Sequence, residues 1–311
     1  MFSTPEFLVV GPFKTGTSWI YEQLKTTEGF DLPPIKELYF FYDADLNYQL
    51  SKSNDEKFLR NEFPSRQLTP SIINTRKLNL ENKIRESRKY RFQNLVNAIK
   101  AGSPLWGLFY YFFPKNLSEK SFSLYTKLFK KTTGHVSGDI SPIYFVLSPY
   151  AIEKIKEYFP DIKIIFIMRE PVEREWSNIR MKYFTKGEEI PFSADEYFAS
   201  QRTTGDYINA ITNWEKYFSA DQILYLFYDE LVANPTAFTG KLLDFLKPGA
   251  KITLLVKEKV MQGVNKSIDQ DLKIKLIEKN LPQYHFLAEK FSNSPYPSLW
   301  LKAALDVLNK Q

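Results

Sequence analysis

The chain has 311 residues, 43% of them hydrophobic and 25% charged, an ordinary globular composition with enough length for a large core. It has no cysteine and two histidines, which excludes disulfides, thiolate catalysis and cysteine zinc sites and leaves too few imidazoles for a multi-histidine metal centre. The net charge of +6 leans toward anionic ligands, although a spread of surface lysines gives the same total.

The first expected element is the apolar run Phe7–Val10, which reads as a strand. Neither a basic leader nor a long apolar segment precedes it, and no later stretch approaches a membrane span, so a soluble cytoplasmic protein is expected. Next comes GPFKTGTSWIYEQL, residues 11–24, in which Trp19, Ile20 and Leu24 fall at helical spacing. Gly11 and Gly16 keep the glycine spacing of the phosphate loop G-x-x-x-x-G-K-[ST], but Thr17 stands in the lysine position and Lys14 comes three residues earlier. With Lys14, Thr15, Gly16, Thr17 and Ser18 at a strand-to-helix junction, backbone donors, hydroxyls and one cation can surround a phosphate. An ordinary βα turn with a helix cap is the alternative.

Residues 43–104 are less regular and read as a helical insertion in a single domain covering 1–311. Arg76 to Arg91 carries seven Lys or Arg against two glutamates, within a basic amphipathic helix that ends at the AGSP break, Ala101–Pro104. The aromatics of WGLFYYFFP, Trp106–Pro114, suit either core packing or an acceptor wall. A second strand-to-helix unit begins at Ile162–Met168, with Pro171 at the head of its helix, and a third at Gln222–Leu231, followed by the helical PTAFTGKLLDFL. Strands alternating with helices predict an α/β fold, a doubly wound, mainly parallel sheet with ligands beyond the strands' carboxyl ends.

The loop GPFKTGTSWIYEQL resembles the phosphosulfate-binding loop of sulfotransferases, and REPVEREWSNI, Arg169–Ile179, resembles their 3′-phosphate segment, an arginine followed eight positions later by a serine. KELYFFYD, GDISPIYF and YDELVANP are further similar to the sulfotransferases that act on heparan sulfate. The resemblance covers roughly residues 5–45 and 105–265 and implies a P-loop-like fold and transfer of a sulfuryl group from 3′-phosphoadenosine 5′-phosphosulfate (PAPS) to a hydroxyl or amine. It implies that Lys14 to Ser18 hold the phosphosulfate and that Arg169 holds the 3′-phosphate. Ser177 would add a hydroxyl from a helix first turn. Trp19 matches a position that stacks on adenine in some members, with a core tryptophan as the alternative, and Lys266 loosely matches a basic residue of a late loop.

By the same resemblance Glu37 is the base, since a glutamate is ordinarily ionised at neutral pH and can accept the acceptor's proton. Lys36 beside it would face the other way on an extended strand, so no direct pairing is expected. Where the heparan-type enzymes often carry an acidic residue and then lysine, this chain has Asp139 and Ile140, which puts a heparan-like acceptor site in doubt. No metal is required, because Lys14 and oriented amides can meet the charge that magnesium offsets in triphosphate chemistry. The product would be 3′-phosphoadenosine 5′-phosphate (PAP), and the partner a small-molecule or carbohydrate acceptor rather than nucleic acid. A P-loop kinase or other NTPase and a non-catalytic PAP-binding protein are the rival readings.

Overall fold

Four parallel strands carry the fold: β1 (Phe7–Gly11), β2 (Gly138–Ile140), β3 (Lys163–Met168) and, after a two-stranded ribbon β4 (Phe184–Thr185) and β5 (Glu188–Glu189), β6 (Ile223–Phe227). The computed structural model describes residues 4–56, 58–59, 69–113, 115–130, 132–185, 188–189, 191–199, 205–252 and 266–310. The strand order is β2-β1-β3-β6, with Leu8 opposite Asp139 and Ile164, and Ile165 opposite Leu224.

β1 is buried along its whole length because both faces of the sheet are covered. Phe7 and Val9 face one core with Ile165, Ile167 and Leu226; Leu8 and Val10 face another with Ile164, Phe166 and Met168. The first core is closed by α1 (Thr17–Lys25) and α11 (Pro235–Leu246), through Ile20, Leu24, Leu242 and Leu243. The second is closed by α2 (Phe40–Ser51), α6 (Pro149–Tyr158), α7 (Pro171–Tyr183) and α9 (Tyr207–Glu215), through Phe41, Ile152, Trp176 and Trp214. The chain therefore leaves β1 toward one face of the sheet and leaves β3, its neighbour, toward the other. That divergence opens the crevice in which doubly wound sheets bind ligands.

The expected basic helix is α3 (Pro70–Lys100), capped by the Thr69 hydroxyl with Pro70 at its first position. Gly102 breaks the chain with φ 74°, and α4 (Pro104–Phe112) returns against α3 as a helical hairpin. α5 (Glu119–Thr126) then supplies Phe122 and Tyr125, the latter stacked on Phe40 at 4.5 Å. Beyond β6, α10 (Tyr228–Ala233) follows directly, where the sequence suggests further strand and a turn. Two late helices, α12 (Gln270–Lys290) and α13 (Pro295–Leu308), pack on each other, and α12 also packs on α7. Glu175 of α7 accepts from Lys279 Nζ at 2.7 Å and Asn280 Nδ2 at 3.0 Å, and Tyr197 of the short α8 (Ala194–Ala199) donates to it at 2.8 Å. No described helix is long and apolar enough to cross a membrane.

Candidate active site

The turn after β1 is shaped by two glycines in backbone that side chains disfavour. Gly11 has φ 98°, and a Cβ there would lie 2.5 Å from the Pro142 carbonyl oxygen. Gly16 has φ 92° at the mouth of α1, where a Cβ would meet Leu231 at 2.9 Å. Thr15 is buried and donates its hydroxyl to the Pro12 carbonyl at 2.7 Å, tying the loop to itself. No side chain caps α1 at Gly16, and the positive end of the α1 dipole opens on the turn.

Lys14 sits at the crest of this turn with φ 72°. Its ammonium reaches across to α7, 3.5 Å from Met181 Sδ, a weak acceptor for a cation. Burial, and then the charges of Arg169, Arg180 and Lys36, pull its pKa below the ordinary lysine value. Three cations thus act on Lys14 just beyond the carboxyl end of β1, and an anion bound beside it would relieve that repulsion.

Arg169 joins the two halves of the crevice. Its Nη1 donates to the Lys14 carbonyl at 3.0 Å, its guanidinium lies 4.7 Å from the Tyr228 ring centroid, and Nη2 is 3.7 Å from Glu173. The Tyr207 hydroxyl holds its backbone from below, accepting from the Arg169 N–H at 3.1 Å and lying 2.9 Å from its carbonyl. Glu170, next in the chain, caps α7 by accepting from the Glu173 N–H and also accepts from the Tyr284 hydroxyl. Burial pushes its pKa up to about 7.

Ser177 corrects one expectation. α7 begins at Pro171, so Ser177 is its seventh residue and lies in the second turn, about 9 Å along the axis from the helix start. It is half-buried on the same helix as Arg180 and Met181. Trp19 lies in the core, 8% exposed, with its ring edge-on to Phe238 at 6.2 Å. Residues 262–265 of the late loop lie outside the described residues. Lys266 is described and exposed; its carbonyl accepts from Trp176 of α7 at 3.0 Å and its ammonium stands 3.7 Å over the Phe184 ring.

Glu37 stands on the other wall and brings a second correction. It is not on an extended strand: Glu37 and Tyr39 both adopt left-handed backbone, φ 66° and 57°, which destroys the alternation of a pleat. Lys36 consequently comes to the same side and pairs with Glu37 Oε1. The other oxygen, Oε2, accepts from the Tyr90 hydroxyl of α3 at 3.2 Å. Asn94 donates to the Glu37 carbonyl at 3.1 Å, Tyr110 of α4 donates to the Leu38 carbonyl at 2.8 Å, and Tyr39 stacks on Tyr90 at 4.2 Å. Tyr90, Asn94 and Tyr110 went unread in the sequence, because nothing local marks residues more than fifty positions away as partners of Glu37 and Leu38.

Asp139 is buried and fully engaged. It accepts from the hydroxyls of Tyr144 at 2.6 Å, Ser141 at 2.7 Å and Tyr125 at 2.9 Å, while burial raises its pKa. Asp229, in the first turn of α10 just beyond β6, accepts from Trp300 Nε1 at 3.3 Å. No group of three or more metal-ligating side chains occurs among the described residues.

The sulfotransferase family model matches residues 5–248, from the strand that leads into the Lys14 turn to the end of α11. The chain belongs to the sulfotransferase family. Heparan sulfate glucosamine 3-O-sulfotransferase 6 from Mus musculus and from Homo sapiens are each 28% identical to it over 140 residues, covering 41% of this chain and 40% of theirs. That likeness spans less than half the length of these relatives. A crystal structure of a sulfotransferase from Alicyclobacillus acidocaldarius matches 95% of this chain and 98% of its own with a TM-score of 0.58 at 19% identity, a likeness of fold. This sulfotransferase has the α/β architecture read from its sequence, a four-stranded parallel sheet with helices on both faces.

Proposed function

We propose that this sulfotransferase transfers the sulfuryl group of PAPS to a hydroxyl or amine of a small-molecule, sugar or lipid acceptor. The observation that carries the reading is the meeting of Lys14, Arg169 and the Lys36–Glu37 pair around one crevice, with Arg169 bonded to the Lys14 carbonyl and Lys36 acting on Lys14 through its charge. Lys14 to Ser18, at the N-terminal end of α1, would hold the phosphosulfate. Arg169, with Ser177 and Arg180 on α7, would hold the 3′-phosphate through charge-assisted hydrogen bonds. Lys266 is kept as a flanking cation; Trp19, packed in the core, is assigned to packing.

The donor supplies the sulfuryl group. Glu37 takes the acceptor's proton as the acceptor oxygen or nitrogen bonds to sulfur, and the Lys14 ammonium meets the negative charge that gathers on the departing phosphate oxygen. Tyr90 and Lys36 fix the carboxylate of Glu37 from two sides, which sets its distance from the acceptor. The acceptor would approach between residues 36–114 and the sheet.

The test is calorimetric titration of wild type and Arg169→Ala with PAP and, separately, with ATP and magnesium. Selective PAP binding that weakens about 10- to 100-fold in the variant supports the reading, the range expected for losing hydrogen bonds from a charged group. Equal or better binding of ATP with magnesium would replace it with an NTPase. PAP binding without PAPS consumption across hydroxyl and amine acceptors would leave a binding protein.

A further inference from the structure

The α3–α4 hairpin supports Glu37 with one side and leaves the other side bare. α3 buries Ser87, Asn94, Leu95 and Ala98. On its opposite side Phe92 is 56% exposed and Ile99 50%, with Val96 between them at helical spacing. α4 adds Leu105, 81% exposed, Leu108, and Phe112, 74% exposed, again along one side. Tyr111 bridges the two helices, edge-on to Phe92 at 6.3 Å and to Phe112 at 5.0 Å, so the apolar residues form one surface. A continuous exposed apolar surface of this kind marks an interaction site.

Charge distinguishes what it meets. One to two turns before Phe92, on the same exposed side of α3, stand Arg85, Arg88 and Lys89, and Lys100 lies at the tip. The acids nearby are Glu81 and Glu86, and Glu86 pairs with Lys89 at 3.0 Å, which leaves a net positive flank. A second copy of this chain would bring like-charged flanks together. An anionic bilayer complements both features, taking the apolar tip into its acyl boundary and the guanidinium groups among its headgroups.

We propose that the α3–α4 hairpin docks the protein on an anionic lipid surface. Tyr90 and Asn94, which hold Glu37, lie on the side of α3 opposite Phe92 and Ile99, so they stand about one helix diameter, roughly 10–12 Å, from the docked side. A docked hairpin therefore sets Glu37 at the depth of a large headgroup above the interface. The class of acceptor that this selects is an amphiphile whose polar hydroxyl or amine stands off a membrane; that clause rests on the sulfotransferase reading, whereas the docking itself does not.

The experiment is vesicle flotation with phosphatidylcholine alone and with about 30% phosphatidylglycerol, at low salt and at about 0.5 M NaCl, where exposed charges are screened. The proteins are wild type, Leu105→Asp/Phe112→Asp and Arg85→Glu/Arg88→Glu, each checked for an unchanged thermal unfolding midpoint. Wild type should float with anionic vesicles and lose most of that partition in high salt. The apolar pair should weaken partition at least about 10-fold, since each loses a large inserted side chain. The basic pair should lose about 25-fold or more on anionic vesicles, about fivefold for each charge. Failure of wild type to float, or equal flotation of all three proteins, overturns the proposal. So does a lipid-free dimer, seen by sedimentation, that both variants dissolve. PAP titration on the same samples is independent of flotation, so a failure of docking and a failure of the donor assignment remain distinguishable.

Discussion

The two walls of the crevice are built by different means. The wall proposed to hold the donor rides on the ends of β1 and β3: the Lys14 turn is dictated by glycines at φ 98° and 92°, and Arg169 is the first residue beyond a six-residue strand buried from Ile164 on. The wall proposed to face the acceptor has no strand behind Glu37. That residue is held by Lys36, Tyr90 and Asn94, by the Tyr39–Tyr90 stack, and by the Tyr110 bond one residue on. Backbone hydrogen bonding fixes the first wall, and side-chain contacts from a helical hairpin fix the second. A substitution in α3 or α4 can therefore re-aim the acceptor side while the donor side stays in place.

Substitutions that separate the walls should show it. Glu37→Gln is expected to lower turnover about 10²- to 10⁴-fold, the usual worth of a positioned base, with PAP affinity changed less than about twofold. Lys14→Met should cost about 10²- to 10³-fold in turnover and weaken PAP as well, because in the proposed reaction its cation would serve both the leaving oxygen and the ground-state anion. If Glu37→Gln instead weakened PAP as strongly as Lys14→Met does, the walls would not be separable. Tyr90→Phe should slow turnover about 2- to 10-fold, the value of one hydrogen bond, and leave PAP titration unchanged. A larger loss accompanied by a lower unfolding midpoint would make Tyr90 a packing residue only.

The smallest effect concerns Glu170, next to Arg169 at the head of α7. Its pKa is raised to about 7, so the folded state holds a proton that the unfolded chain has released above the ordinary carboxyl range. The stability from this group is complete below about pH 4.5 and is lost as pH rises through 7, with a slope of at most about 1.4 kcal/mol per pH unit. Urea unfolding at pH 5, 6 and 8 should show that decline in wild type and a flatter profile in Glu170→Gln. Parallel profiles would mean that Glu170 titrates normally.

The same contrast governs how much was legible in the sequence. Apolar β-branched runs ending in glycine or arginine report a parallel sheet and its ligand crevice, because strand burial and turn conformation are local properties. Lys14, Thr15, Gly16 and Arg169 are accordingly found where the pattern puts them. Ser177 was placed a turn too early although the helix start at Pro171 was read correctly, because six residues separate the two and a turn takes only 3.6. The Lys36–Glu37 pair was misjudged because left-handed backbone at a glutamate and a tyrosine has no compositional signature, unlike the same backbone at glycine. Tyr90, Asn94 and Tyr110 meet Glu37 and Leu38 across 53 to 72 residues, a separation no periodicity reports.

The bond from Arg169 to the Lys14 carbonyl, together with the Tyr207 clamp on its backbone, also bears on the entropy of recognition. A long guanidinium side chain that is mobile before a ligand arrives loses rotamer freedom at encounter, at about 0.5–1.5 kcal/mol. Here much of that freedom is surrendered when the chain folds. A nucleotide meeting a guanidinium already aimed across the crevice is spared about 1 kcal/mol, close to a fivefold gain in affinity that no additional contact has to supply.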